Sequence, residues 1–450
     1  MDTQLNAITT IFTEFYYWVT IPLMFLIHVG FCMYEVGASR RRNHLHTLMK
    51  NSMIIPLVTI TFFFFGWWLY WALPNGPFIT GGILWEDAAA NAANSPTMGT
   101  NLDDRITGVF WAAFLLFSWT AASIVSGAVI ERINSGAFWV LAVVIGSGAW
   151  IIDASWGWHP NGWMVQILGY HDAYASGVIH AIAGGFALGV LCVLGPRLGK
   201  FAADGTPRNI LPHNPWMVAV GLFIIYTGFW GFYVACNIPI ISPAEIDGVI
   251  VGTTWTATTI YLTPTSLSAI TFNFLMSLSG GMLVAFAVSK GDAFWTYSGG
   301  LAGIICASAG NDLYHPIQAM FVGCIGAFVA YKMHHFVERR FKIDDAVGAV
   351  AVHGYAGFAG LVIAGFLLWG HPAGAYEGYA SINPLGQFLG AIIMFGVLGF
   401  LPGWIVAKIL HGFGLLRIPR EIDIIGLDFQ DMQMERAAER EVREAKQNLV

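Results

Sequence analysis

The stretch HDAYASGVIHAIAGG, residues 171–185, decides how the rest of the chain is read. It opens on a histidine and an aspartate, then enters an apolar run over 172–195 that is long enough to cross ~30 Å of hydrocarbon as a helix. His180 lies inside that run. An ionisable side chain at such depth is costly and usually functional. A packing role, in which the ring hydrogen-bonds a neighbouring helix while Gly and Ala allow close approach, competes at near even weight.

The solvent follows from composition. Of 450 residues, 56% are hydrophobic and 11% charged, and mean hydropathy is +0.63, which no globular core could hide. The chain reads as an integral membrane protein. A net charge of −6 gives nucleic acid no footing. The five cysteines, Cys32, Cys192, Cys236, Cys306 and Cys324, all lie in apolar runs without metal-ligand or redox spacing. Neither a metal nor a cofactor is expected, and no nucleophile-base set suggests an enzyme.

Apolar windows of about 20 residues recur near 12–36, 51–73, 106–130, 136–158, 172–195, 215–237, 264–288, 296–310, 315–333, 348–369 and 385–410. The expected fold is an all-α polytopic membrane protein of eleven transmembrane helices. The first run lacks a basic leader and reads as a retained span. With eleven crossings, every Lys and Arg except Arg105 falls on one side, so the positive-inside rule places the N-terminus out and the C-terminus in. Residues 1–410 form the membrane domain and 411–450 a cytoplasmic region. Two outer loops stand out: 74–105, with Glu86, Asp87, Asp103 and Asp104, and the long, β-branched-rich 238–263. Both read as solvated loops that weakly favour cations.

An internal repeat links the two ends of this reading. His180-Ala-Ile-Ala-Gly184 in the fifth span echoes His353-Gly-Tyr-Ala-Gly357 in the tenth. Five crossings separate the copies, which turns the second upside down and gives the inverted five-helix plan of many transporters. Both imidazoles then approach the bilayer centre from opposite faces. Two histidines related this way favour a lined path over incidental packing. Asp172, eight residues from His180, sits about 12 Å along the helix from it and reads as a structural N-cap.

These residues resemble the Amt/Mep/Rh ammonium transporter superfamily. The likeness runs through DAYASGVIH (172–180), GAVIERI (127–133), GFWGFY (228–233), DDAVGAVAVHG (344–354) and LRIPREIDIIGLD (416–428). The resemblance implies a multi-pass protein of the plasma (inner) membrane, a homotrimer with one pore per subunit, in which His180 and His353 are the pore's twin histidines and Phe117 and Phe232 its stacked gate. Trp158 becomes the aromatic of an outer recruitment site, with Trp156 a competing choice, and Cys236 takes the place where relatives often carry serine. Tyr233 stands where a smaller polar residue is common, and Gly348 where an aspartate is frequent. PII-type regulators, which bind the inner face of many relatives, become expected partners alongside the lipid bilayer and ammonium or methylammonium.

The chemistry agrees with those roles. A small cation gains about 0.5–2 kcal/mol from an aromatic face, enough to select but not to carry bare charge across hydrocarbon. Ammonium escapes that cost by shedding its proton, a route closed to potassium and sodium, and imidazole offers one donor and one acceptor nitrogen to the ammonia that remains. Two other readings stand beside transport. The tail FQDMQMERAAEREVREAKQNLV, with a near-heptad stripe at Met434, Ala438, Val442, Ala445 and Leu449, suits an ammonium sensor that signals through a cytoplasmic helix or a fused module. The aromatic-rich mouth suits methylated amines.

Overall fold

In a computed structural model of the chain, the described residues are 2–76, 106–159, 161–246, 249–261, 263–374 and 377–429. The acidic residues expected in the first outer loop, Arg105 and the charged tail helix lie outside them.

Among the described residues, helical segments lie along the apolar windows: α1 (Asp2–Ala38), α2 (Arg41–Ala72), α3 (Ile106–Val129), α4 (Ser135–Gly157), α5 (Ser176–Leu194), α6 (Pro215–Ala235), α7 (Leu267–Ser289), α8 (Ala293–Ala307), α9 (Pro316–Phe341), α10 (Val350–Leu367) and α11 (Pro384–Gly412). Ten of them are long and apolar enough to cross a membrane. Only α8 is short. Its 15 residues rise about 22 Å. Starts are set by local chemistry: Asn134, Asn214, Ser266, Asp292 and Asn383 each accept an amide of the first turn they precede.

Glycine decides which helices touch. Along α1 and α6, a Cβ on Gly30, Gly37, Gly221, Gly228 or Gly231 would press into the opposite backbone, so the two helices lie against each other with almost no side chain between them. The same close contact joins α7 to α8 through Gly281, Gly299 and Gly303, and α5 to α11 through Gly185 and Gly189. Large apolar residues on the outside of the bundle, such as Phe64, Phe272, Leu283 and Phe321, are exposed, as lipid-facing residues are.

One expectation is corrected. Residues 238–263 do not form an irregular solvated loop. β1 (Asn237–Ile246) pairs antiparallel with β2 (Val249–Thr259) from Asn237↔Thr259 to Ile246↔Val249, and β3 (Pro264–Thr265) adds to β2. The β-branched residues of 249–259 favour a strand, and the Asp247-Gly248 dipeptide between the two runs is a strong hairpin signal. The helical class stands for the membrane-spanning part. The hairpin marks one face of the molecule, and the basic residues gather at the other.

That basic face is held by buried charge. Lys50 and Glu35, both fully buried, lie 3.6 Å apart. Glu35 also accepts from Asn51 (2.9 Å) and faces the Ser126 hydroxyl at 2.6 Å. Arg197 grips Asp344 with two side-chain bonds of 2.9 Å and its own amide at 2.8 Å. Burial alone would push the Asp344 carboxyl up, but the Arg197 and Arg132 guanidiniums outweigh it and hold it well below the usual carboxylate range.

After α11 the chain folds back onto this face. Ile418 donates to the Arg132 carbonyl at 3.1 Å, Arg417 binds Asp423 at 3.0 Å, and α12 (Arg420–Ile425) follows. Asp428 then accepts the amides of Leu45 and His46, both at 2.9 Å, which satisfies the exposed start of α2.

Candidate functional site

The site grows out of two unusual helix starts. Asp172 accepts the amides of Ser176 (2.6 Å), Gly177 (2.7 Å) and Val178 (2.9 Å). The helix then begins as a wide turn over Ser176–Ala181, in which the His180 amide donates to the Ala175 carbonyl five residues back. The second half repeats the device: Asp345 accepts the Ala351 amide at 3.1 Å, and a wide turn over Val350–Tyr355 contains His353. Such widened turns rotate a side chain off its ordinary bearing and concentrate at functional positions. Ala175 (φ +73°) and Gly348 (φ +70°), each five residues before its histidine, share the left-handed backbone.

Sequence reading singled out Asp172 and passed over Asp345. The signal was present. Asp172-Ala-Tyr-Ala-Ser-Gly-Val-Ile-His180 and Asp345-Ala-Val-Gly-Ala-Val-Ala-Val-His353 match in spacing, with Asp-Ala opening both.

The two starts bring their imidazoles together. His180 Nδ1 and His353 Nδ1 are 3.1 Å apart, so one ring donates to the other, and the ring centroids stand at 5.1 Å. The first ring is fully buried and the second 3% exposed. His180 Nε2 has no hydrogen-bond partner among the described residues.

From this pair an aromatic column runs toward the hairpin face. Phe232 lies 5.5 Å from His180, Phe117 4.7 Å from Phe232, and Trp158 5.2 Å from Phe117. The phenylalanine rings cross at 83°, edge to face, which corrects the expectation of a stacked gate and is the geometry ring quadrupoles prefer. Trp158 donates to the Asp172 carbonyl at 2.7 Å, whereas Trp156 packs on Trp163. Cys236 is buried at the end of α6, one turn beyond Phe232. Near it, Tyr174 and Tyr233 stack at 4.2 Å and 5°, with Tyr174 donating to Asn237 and Tyr233 meeting the Ser308 hydroxyl. Toward the basic face, a narrow pocket below His353 is lined by Phe31, Ile124, Leu222, Ile225, Leu301 and Val352.

A buried column of rings that ends at two mutually bonded imidazoles suits a small, neutral, hydrogen-bonding species. A profile of the Ammonium Transporter Family matches residues 15–437. The chain belongs to this family. It is 29% identical over 413 residues to "Ammonium transporter Amt2" of Methanocaldococcus jannaschii, covering 92% of this chain and 88% of that one. It is also 29% identical over 439 residues to "Ammonium transporter Amt2" of Archaeoglobus fulgidus, covering 91% and 84%. Among solved structures, its fold is similar to that of a "Sensor Amt Protein" (TM-score 0.76, 23% identity, 94% and 98% covered), Saccharomyces cerevisiae Mep2 (0.69, 17%, 91% and 88%) and Nitrosomonas europaea Rh50 (0.61, 19%, 98% and 98%). This ammonium transporter family member is a multi-pass membrane protein, and its named relatives are transporters rather than enzymes.

One cluster at the end of α9 was passed over in the sequence. His334, His335 and Glu338 offer ligand atoms within 4.8 Å of one another at the basic face.

Proposed function

We propose that this protein conducts ammonium across the plasma membrane through the column that ends at His180 and His353. The observation that carries this reading is the 3.1 Å imidazole contact at the inner end of a buried aromatic path. The hairpin face lies outside and the basic face in the cytoplasm, as the positive-inside rule requires of Arg40, Arg132, Arg197 and Lys200. Ammonium is recruited beside Trp158 and Cys236, held by the ring faces at about 0.5–2 kcal/mol each, and gives up its proton before Phe117 and Phe232. Ammonia then passes the imidazoles by hydrogen bonding, and the linked rings offer the proton a separate route. Asp172 works as the cap that fixes the start of α5. The working unit is a homotrimer with a pore in each subunit, in a lipid bilayer, and the region after α11 offers a docking face for a PII-type regulator.

One observation favours a second reading. The stacked Tyr174–Tyr233 pair, fully buried beside Cys236, narrows the hairpin end of the path. A protein that binds ammonium there without passing it acts as a sensor.

Proteoliposomes separate the two. Transport predicts an ammonium-driven current or internal pH change well above that of empty liposomes, lost in His180→Ala. Saturable ammonium binding with no flux in the wild type sinks the transport reading and supports sensing.

A further inference from the structure

We propose that His334, His335 and Glu338 form a binding site for a divalent transition-metal ion of the zinc type, set against the cap of α10. The three residues lie on the last turns of α9, at the spacing i, i+1 and i+4. Glu338 Oε1 is 4.0 Å from His334 Nε2, and Oε2 is 3.8 Å from His335 Nδ1. The other nitrogen of the His334 ring faces a carboxylate from another part of the chain: Asp345 stands 3.8 Å from Nδ1, where an outer partner orients a ligating imidazole.

These separations fit a metal better than they fit hydrogen bonds. Ligand atoms at about 2.0–2.1 Å from a tetrahedral ion stand roughly 3.3–3.4 Å apart. The imidazole–carboxylate gaps are too wide for hydrogen bonds and need to close by less than about 1 Å to hold an ion. Two nitrogens with one or both oxygens of Glu338, completed by water, is a donor set zinc accepts readily.

A second observation points the same way. Asp345 is 9% exposed, yet its Oδ1 has no hydrogen-bond partner among the described residues, and neither has the buried His334 Nδ1. Burying polar atoms without partners is costly. An ion on Nε2 fixes the ring with its proton on Nδ1 and draws that N–H toward Asp345, which gives both a partner. Trp295 packs on both rings, at 4.8 Å from His334 and 5.6 Å from His335, and limits their freedom before any ion arrives.

Lys200 is the built-in competitor, because its ammonium pairs with Glu338. An ion of higher charge at the same carboxylate displaces it. Since Asp345 also accepts the Ala351 amide, two residues before His353, an ion here bears on the start of the helix that carries the second imidazole. The inference stands apart from the transport reading, because its test reads binding alone.

The purified full chain in detergent is titrated with Zn2+ against a competing chelator, and Co2+ is used to read coordination by visible absorption. The expected result is one Zn2+ per chain and a tetrahedral Co2+ spectrum. The double change His334→Ala/His335→Ala should weaken binding by at least about 10–100-fold, with an unchanged size-exclusion profile. Lys200→Ala should tighten it about tenfold by removing the competitor. His213→Ala, which alters the separate His44–His213 ring pair (centroids 3.9 Å apart), should leave it unchanged. Zn2+ affinity that survives the double change, that disappears in His213→Ala, or that is missing in the wild type overturns the proposal.

Discussion

Gly184 of α5 and Gly354 of α10 meet backbone to backbone. A Cβ on Gly354 would lie 3.2 Å from Gly184 Cα, and one on Gly184 would overlap Gly354 outright. The two histidines can touch only because the helices behind them cross at this point without side chains.

Gly184→Ala therefore pushes the imidazoles apart while overpacking the crossing. It should cost about 1–3 kcal/mol of stability, read as a lower melting temperature in detergent. Ammonium flux should fall at least about tenfold, since a contact of 3.1 Å does not survive a shift of an ångström or more. Native flux in a destabilised Gly184→Ala protein would show that the imidazole contact is dispensable.

The two carboxylate caps differ in strength. Asp172 takes three amides and Asp345 one. Asp172→Ala should cost about 2–3 kcal/mol, Asp172→Asn less, and Asp345→Ala about 1 kcal/mol. Hydrogen exchange at the amides of Ser176, Gly177 and Val178 checks this, because exchange there should quicken in Asp172→Ala and stay slow in Asp345→Ala.

Ala175 and Gly348 occupy equivalent places with opposite chemistry. A left-handed alanine costs roughly 1–2 kcal/mol, partly offset by the 0.5–1 kcal/mol that glycine loses in chain entropy. Ala175→Gly should raise the melting temperature slightly and Gly348→Ala should lower it. Shifts of the same sign in both would refute the shared backbone role.

Acid should act through Asp344. Its folded pKa lies below the value of about 3.9 in the unfolded chain because Arg197 and Arg132 favour the charged form. Its contribution is complete above pH ~4 and is lost as pH falls from there toward the folded pKa. Asp344→Asn should destabilise the protein at neutral pH by about 3–5 kcal/mol, leaving Arg197 buried without its partner. The variant should also lose part of the wild type's drop in melting temperature between pH 5 and pH 3. An equal drop in both would place the acid sensitivity elsewhere.

Sequence alone carried the membrane class, the helical windows and the histidine pair, because hydropathy and a repeated His–Gly spacing are local signals. The column was not legible in the same way. Among 33 phenylalanines, Phe117 and Phe232 were singled out by the family resemblance, and their edge-to-face crossing depends on how α3 and α6 pack. The widened turns at His180 and His353 leave no mark in residue type. Asp345 was legible and missed, since its spacing to His353 repeats that of Asp172 to His180. Asp345 reaches His334 only through tertiary folding, which no reading of α9 by itself could supply.

The Glu35–Lys50 pair also bears on how the protein is made. Each is buried and each alone would resist entry into lipid, yet they sit fifteen residues apart across the short turn between α1 and α2. They leave the ribosome almost together. Burial of either is therefore easiest when the first two helices close as one hairpin, with the acid and the amine cancelling as they leave water together. A nascent chain halted between them would expose an uncompensated glutamate.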